Sequence, residues 1–436
     1  MQYTMAEKYL SIQEAMDKGT GEVQIHGWVH RERGSNKLKF IVLRDPSNLI
    51  QCVLSKSDFE GNWEKIDHIQ VETSLKIKGE IVKDERAPTG YELHVKDYQI
   101  IGTSENYPIT KDQSIEFLAD NRHLWLRSQK MMAIMKIRST YVQAREEFFI
   151  KEGFFRFDTP ILQPTQCEGG STLFEVKYYK DKMYLAQTWQ LYGEAGIFAL
   201  GKIYNMGPTF RAEKSKTSRH LSEFWMAEAE VAWADLNDIV DLAKRELKYC
   251  LKKVCQERVK ELEFLERDPK KLLKIAEKEW PTIKYREALK ILKEKSNMDV
   301  IFGKDLRTVE EEKLMEHYDT PVVVTHYPKE VMAFYKPTDP EQSDEALCFD
   351  MLAPEGHGEI VGGSQRSTDI EEMKRALEKE GEEIENYSWY FDLRKYGSVP
   401  HSGYGVGVER VVKWICGLDS IKDAIPFPRT MERYKP

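Results

Sequence analysis

The chain lacks several features that would place a protein in a broad class. Its 436 residues contain no run of about twenty apolar residues, so no segment is predicted to span a membrane. The first twenty residues have neither a basic start nor an apolar core, so no secretory signal is predicted. The six cysteines are scattered and form no Cys-x-x-Cys pair. This pattern argues against zinc sites and disulfides and predicts reduced thiols in the cytoplasm.

An excess of positive charge is also missing. The formal net charge is -8 and the sequence pI is about 5.8. This balance argues weakly against a protein dedicated to binding nucleic acid. One structured RNA needs only a local basic face, however, so RNA stays open as a partner.

The amino-terminal part contains five short segments with strand character, separated by turn residues. They are residues 22–29, 39–45, 49–54, 74–82 and 91–95. Five strands in about a hundred residues, with a short helix expected at 66–71, are typical of an OB-fold barrel. The extended, turn-rich stretch 102–111 predicts a linker. We therefore expect a barrel domain at 1–104, a hinge at 105–130 and a second domain at 131–436.

The second part mixes helical and strand patterns, so the chain is predicted to be an α+β protein. Residues 131–151 and 235–265 have apolar side chains at helical spacing, and 320–327 is a continuous apolar strand. Residues 207–233 have the pattern of two strands joined by a long polar loop. Glu228 and Glu230 lie on the otherwise apolar second arm of this hairpin, an arrangement that is costly unless the charges meet a ligand or each other.

The hairpin carries a recognisable motif. Phe210-Arg211-Ala212-Glu213, Arg219-His220 and Phe224 together resemble the second signature motif of class II aminoacyl-tRNA synthetases. The resemblance implies an ATP site on an antiparallel sheet flanked by helices. A guanidinium such as Arg211 can hold an α-phosphate in a bidentate manner. Phe224 could stack on adenine and Glu213 could accept a hydrogen bond from its amine, while Arg219 and His220 face the distal phosphates.

Two further motifs follow the order of that family. Residues 153–164, with a long helix before them, resemble the first motif, which implies a homodimer. Residues 401–410 with the final Pro-Phe-Pro-Arg resemble the third, and Arg410 would pair with the γ-phosphate. Asp350 and Glu359 on adjoining strands match the family pattern for Mg²⁺ bound against ATP oxygens.

The barrel resembles the anticodon-binding barrel of the aspartyl and asparaginyl members of this family. Phe40 would stack on the central uridine of the anticodon, Gln51 would read it, and Glu92 would add a contact. The resemblance does not distinguish the two tRNAs.

The amino-acid pocket favours asparagine. Glu168 and Gln190 would hold the α-ammonium group, and Arg366 the side-chain carbonyl. The lysine that aspartate-specific members carry is replaced by Gly193, and Glu228 would accept from an amide but repel a carboxylate. We therefore expect ATP-dependent activation of L-asparagine and its transfer to tRNA(Asn).

Three alternatives stay open on the sequence. An aspartate-activating ligase, possibly one that also charges tRNA(Asn), is disfavoured by Gly193 and Glu228. An ammonia-dependent asparagine synthetase is disfavoured by the barrel. A non-catalytic RNA-binding relative has no physical need to keep Arg211, Glu359 and Arg410 together.

Overall fold

The computed structural model describes residues 9–167, 173–214 and 220–436. The chain divides into two compact units, Met1–Ala119 and Asp120–Pro436. Within the described residues, no helix is long and apolar enough to cross a membrane. All six cysteines are free and buried.

The first unit is a closed β-barrel with strand order β1-β2-β3-β5-β4. Its described elements are α1 (Ile12–Lys18), β1 (Gly21–Gly34), β2 (Leu38–Arg44), β3 (Leu49–Ser55), α2 (Trp63–Asp67), β4 (Ser74–Lys83) and β5 (Tyr91–Gly102). Alternate side chains of each strand fill one core, as the two-residue period of the sequence predicts. The five-stranded OB-fold prediction is confirmed.

Three details of the barrel differ from the sequence prediction. Strand β1 was predicted to end at residue 29, but it continues to Gly34. The short helix begins at Trp63 and ends at Asp67, several residues before the predicted 66–71. Trp63 and Ile66 are its buried residues, and their spacing of three sets its register against the core. Strand β5 continues to Gly102, because it pairs with β4 along most of its length.

The second unit is built on an eight-stranded sheet of order β12-β13-β14-β15-β16-β11-β10-β6. These strands are β6 (Phe155–Arg156), β10 (Lys202–Phe210), β11 (Glu223–Ala232), β12 (Thr282–Lys284), β13 (Val322–Thr325), β14 (Cys348–Ala353), β15 (Gly358–Gln365) and β16 (His401–Gly407). A small separate sheet holds β7 (Leu162–Gln163), β8 (Glu175–Tyr178) and β9 (Asp181–Leu185). The six central strands of the large sheet are antiparallel, whereas β12 and β6 pair in parallel at its edges. The sheet is therefore mixed, with the predicted antiparallel arrangement at its centre.

The short helix α3 (Ile115–Asp120) spans the division between the two units in the sequence. The helices of the second unit are α4 (Arg122–Trp125), α5 (Gln129–Lys151), α6 (Gln190–Leu200), α7 (Leu236–Glu257), α8 (Val259–Phe264), α9 (Pro269–Glu277), α10 (Tyr285–Ser296), α11 (Thr308–Met315), α12 (Ile370–Glu380), α13 (Ser388–Lys395) and α14 (Val408–Cys416). The apolar stripe predicted for 131–151 is the buried face of α5, and it shares one core with α7 and the sheet. The helix predicted over 235–265 is interrupted at Arg258, whose backbone leaves the helical region.

Candidate active site

A cavity of about 300 Å³ lies over the centre of the large sheet. Its lining includes these residues named from the sequence: Gln190, Arg211, Glu213, His220, Phe224, Glu228, Asp350, Glu359, Arg366 and Arg410. They come from α6, from the β10–β11 hairpin and from strands and a helix far apart in sequence. The fold therefore brings together the residues that the sequence predicted for ATP and amino-acid binding.

The cavity floor is one row of residues across four antiparallel strands. Glu228 on β11 faces Gly405 on β16, which faces Gly362 on β15, which faces Asp350 on β14. A Cβ built on Gly405 would lie 2.5 Å from Met226, and one on Gly362 would lie 3.3 Å from Glu359 Oε1. Because the middle of the row has no side chains, a small ligand can approach the backbone between the two acidic ends.

Arg211 directly follows β10 and lies at the cavity wall. Its guanidinium carbon is 5.6 Å from the ring centroid of Phe224, across the hairpin. Its Nε is buried and, among the described residues, has no hydrogen-bond partner. A half-buried guanidinium whose Nε has no partner among the described residues is suited to a phosphate oxygen that the cavity would admit.

Glu213 and His220 lie on the two sides of the hairpin loop. His220 Nε2 is 3.2 Å from Glu213 Oε2, so the two predicted ATP-binding residues contact each other across the loop. Arg219 and Glu168, which were also predicted to bind ligand, lie outside the described residues.

Glu359 and Arg410 form an ion pair beside the floor. Arg410 Nη1 is 2.9 Å from Glu359 Oε2 and also donates to the Glu359 carbonyl oxygen at 3.1 Å. Burial alone would raise the pKa of Glu359, but the Arg410 guanidinium outweighs it and the net pKa is lowered. Burial, with the neighbouring Glu359 carboxylate, raises the pKa of Asp350 well above its usual value.

The two predicted metal ligands, Asp350 and Glu359, place their carboxylate oxygens close to the same point above Gly362. A Cβ built on Gly362 would lie 3.3 Å from Glu359 Oε1 and 3.4 Å from Asp350 Oδ1. No group of three or more His, Cys, Asp or Glu side chains suited to a metal ion occurs in the described residues. Mg²⁺ commonly takes only one or two carboxylates and completes its shell with water and phosphate, so this pair fits a magnesium ion bound together with a nucleotide.

Arg366 is fixed by partners that the sequence did not assign to it. Its Nε donates to Glu230 at 3.2 Å, and its Nη2 donates to the other oxygen of the same carboxylate. Its Nη1 donates to Ser364 at 2.9 Å, and its guanidinium lies 5.3 Å from the centroid of the Tyr335 ring. Glu230, Gly403 and Ser364 form a second cross-strand row, so the sheet register sets the position of this arginine.

Gln190 is held by a second buried carboxylate, Glu194, one turn later on α6. Gln190 Nε2 donates to Glu194 Oε1 at 3.0 Å. Glu194 also accepts from the Tyr390 hydroxyl and the Arg394 guanidinium, and His401 Nε2 lies 3.1 Å away. Burial would raise the pKa of Glu194, but Arg394 and His401 lower it well below its usual value.

Glu228 accepts a hydrogen bond from the Trp189 amide at 2.9 Å and another from the Thr188 hydroxyl. These bonds fix the carboxylate at the acidic end of the cavity floor. Gly193, the position of the missing lysine, packs against the same tryptophan, because a Cβ there would lie 2.5 Å from the Trp189 ring. A side chain at position 193 therefore has no room unless Trp189 moves.

Sequence reasoning missed several lining residues. Asp305, Tyr335 and Lys336 border the cavity. Asp305 lies in a stretch in which the sequence indicated no chemistry, and burial followed by the nearby Glu359 raises its pKa. Glu194 could have been found from the sequence, since it is a lone acid in the apolar segment 191–200. Glu230 was noted together with Glu228, but its pairing with Arg366 was not.

The barrel carries a separate polar surface, built from β1, β2, β3 and β5. The Arg33 guanidinium lies 4.9 Å from the centroid of the Phe40 ring. Its Nη2 donates to Gln51 Oε1 at 3.4 Å, and Gln51 Nε2 donates to Glu92 at 2.5 Å. Phe40, Gln51 and Glu92 thus belong to one chain of contacts, with Arg33 as a member that the sequence did not predict. We call these four residues the barrel face.

Comparison with known protein families gives two matches. Residues 114–431 match the family of class II tRNA synthetases (D, K and N). Residues 23–101 match the family of OB-fold nucleic acid binding domains.

Similar proteins extend over nearly the whole chain. An asparagine–tRNA ligase of Thermoplasma acidophilum is 44% identical over 98% of this chain and 100% of its own length. An asparagine–tRNA ligase of Lactobacillus johnsonii is 43% identical over 98% of this chain and 99% of its own length. The crystal structure of Pyrococcus horikoshii asparaginyl-tRNA synthetase complexed with asparaginyl-adenylate has a TM-score of 0.95 at 41% identity, covering 98% of this chain and 100% of that one.

Proposed function

Because the chain belongs to the family of class II tRNA synthetases that act on D, K and N, we propose that it activates L-asparagine with ATP and transfers the asparaginyl group to tRNA(Asn). The observation that carries this proposal is the cavity, whose floor runs from Glu228 to Asp350 and whose lining places Arg211 and Arg410 near the Asp350 end. AMP and pyrophosphate are the other products.

In the activation step, the α-carboxylate of asparagine attacks the α-phosphorus of ATP. A new carboxyl–phosphate bond forms, and the bond between the α-phosphorus and the bridging oxygen breaks with release of pyrophosphate. Arg211, through its Nε and the rest of its guanidinium, offsets the charge on the α-phosphate oxygens. Phe224 supports adenine, Glu213 accepts from its amine, and Arg410 meets the departing phosphates while Glu359 orients it.

Asp350 and Glu359 would hold Mg²⁺ at this end of the cavity, where the ion would offset phosphate charge. The raised pKa of Asp350 reflects a partly buried carboxylate with too little nearby positive charge, which a cation would relieve.

At the other end, Gln190 and Glu168 bind the α-ammonium group and Arg366 donates to the side-chain carbonyl. Glu228 accepts from the side-chain amide, and it would repel the carboxylate of aspartate. An uncompensated like-charge contact in a buried site costs several kcal/mol. This cost supports asparagine over aspartate.

The barrel face binds the anticodon of the tRNA in this proposal. Phe40 stacks on the central uridine, while Gln51 and Glu92 contact its edge. Gln51 exchanges a contact with Arg33 or Glu92 for one with the base when RNA binds.

A homodimer and a cytoplasmic location complete the proposal. Strand β6 is the edge of the large sheet and Phe155 on it is 55% exposed, which supports pairing with a second copy. The free cysteines suit a reducing compartment. Size-exclusion chromatography with light scattering tests the dimer, since a monomer at micromolar concentration contradicts it.

The experiment that tests the function is ATP–pyrophosphate exchange with purified protein, without tRNA, at equal concentrations of asparagine and aspartate. Exchange that requires asparagine, followed by charging of a tRNA(Asn) transcript, is the expected result. Exchange with aspartate at a comparable rate would instead favour an aspartate-activating ligase. Exchange with neither amino acid would contradict the proposal.

A further inference from the structure

Glu194 is a buried carboxylate that does not itself line the cavity but touches residues that do. It is fully buried on α6, one turn after Gln190. Its Oε1 accepts from Gln190 and lies 3.8 Å from the Nε of Arg366. Glu194 thus contacts both residues proposed to hold the two ends of the amino-acid substrate.

On its far side, Glu194 meets positively charged or donating groups from elements distant in sequence. Arg394 on α13 forms a salt bridge to it, the Tyr390 hydroxyl donates at 2.7 Å, and His401 Nε2 lies 3.1 Å away. All three side chains are buried. A buried carboxylate with this many partners stays ionised, because its desolvation is offset by nearby charge and hydrogen bonds.

The cluster balances carboxylates against cationic and donating groups. Glu194, Glu228 and Glu230 are the acids, and Arg366, Arg394 and His401 are the groups that face them. Glu230 occupies Arg366 with two bonds, so little positive charge is left to attract a substrate carboxylate. In a buried site, one unit of charge changes the energy of a charged ligand much more than that of a neutral one.

We propose that Glu194 is a specificity-determining positioning residue: it orients Gln190 and Arg366 and offsets the positive charge at the amino-acid end of the cavity, so that aspartate is excluded while neutral asparagine stays bound. This inference rests on the proposed activation of asparagine. Glu228 would repel aspartate directly, and Glu194 would add a second, indirect discrimination between aspartate and asparagine.

The charge argument makes a quantitative prediction for Glu194→Gln, a change that keeps shape and removes one negative charge. In general, one unit of charge at about 10 Å and an effective dielectric constant of about 20 corresponds to roughly a tenfold change in the binding of a carboxylate. We expect the inhibition constant of aspartate, divided by the KM of asparagine in pyrophosphate exchange, to fall about tenfold.

A second variant separates charge from shape. Glu194→Gln combined with Arg394→Met removes one charge of each sign, so the net charge of the cluster returns to its original value. We expect the aspartate inhibition constant divided by the asparagine KM to return to within about threefold of the wild-type value. Arg394→Met alone makes the cluster more negative and should raise the ratio about tenfold.

Glu310→Gln is the matched control. Glu310 is also a buried carboxylate with an arginine partner, Arg307, but it is not among the described residues that line the cavity. Circular dichroism and the melting temperature show which variants are folded. Should Glu194→Gln not fold, Arg394→Met and the double variant test the proposal alone.

The outcomes separate this inference from the proposed function. Wild-type protein without asparagine-dependent exchange contradicts the proposed function. If the wild type is active, an unchanged ratio in folded Glu194→Gln, or a double variant no closer to wild type than the single one, overturns the inference. A rise in asparagine KM without a change in the ratio would assign Glu194 a purely structural role and would also overturn it.

Discussion

The amino-acid end of the cavity and the barrel face use similar residue types under different solvent conditions. In the cavity, Glu194, Glu230 and Arg366 are all buried, and each charge is held by fixed partners. On the barrel face only Gln51 is buried, whereas Arg33 is exposed and Phe40 and Glu92 are half-buried, although the contacts are also between an arginine, an amide and a carboxylate. Buried charge interacts strongly because water does not screen it, whereas exposed polar contacts contribute little each.

The difference predicts two styles of recognition. A site with fixed, buried charges discriminates between ligands of similar shape by their charge, and single substitutions in it have large effects. A half-exposed surface with stacking and exchangeable hydrogen bonds binds by several modest contributions. The following variants test this contrast, from the largest expected effect to the smallest.

The largest effect is expected at the phosphate end. Arg211→Ala removes the guanidinium whose Nε has no partner among the described residues, so the charge developing on the α-phosphate is left without its proposed partner. We expect the rate of ATP–pyrophosphate exchange to fall about 10³-fold. Arg245→Ala, which removes an arginine paired with Asp241 and Glu152 at the surface, is the control and should stay near wild type. Near-normal exchange by Arg211→Ala would refute its assignment.

A smaller but still large effect is expected at position 193. Gly193→Lys restores the residue type of aspartate-specific members, but its Cβ would lie 2.5 Å from the Trp189 ring. Since the Trp189 amide also holds Glu228, displacement of the tryptophan should disturb asparagine binding. We expect a loss of asparagine-dependent exchange of about 100-fold and no gain with aspartate.

Gly193→Ala serves as the companion variant, because it adds the steric contact without the charge. A Gly193→Lys variant that activates aspartate efficiently would show that Trp189 yields and that charge alone sets the specificity.

The barrel face should respond more modestly. Phe40→Ala removes the ring under the Arg33 guanidinium and the proposed stacking platform. A stacked base contributes about 1–3 kcal/mol, so kcat/KM for tRNA should fall about tenfold while tRNA-independent pyrophosphate exchange stays unchanged. Ile101→Ala, an exposed apolar side chain elsewhere on the barrel, is the control. Equal losses in both variants would place the RNA contact away from the barrel face.

The sequence predicted the fold and most of the cavity because these depend on local patterns and motifs. The two-residue period predicted the barrel, and Arg211, Phe224, Asp350, Glu359 and Arg410 all line or border one cavity. Their individual roles stay predictions.

The sequence did not reveal how the predicted residues are held. Arg366 depends on Glu230, which is 136 positions away, and Glu194 depends on Arg394, which is 200 positions away. Such pairs are created by sheet register and helix packing, and no local period encodes them. The break at Arg258 and the position of α2 were missed for a related reason, since tertiary packing sets element ends that apolar spacing leaves open.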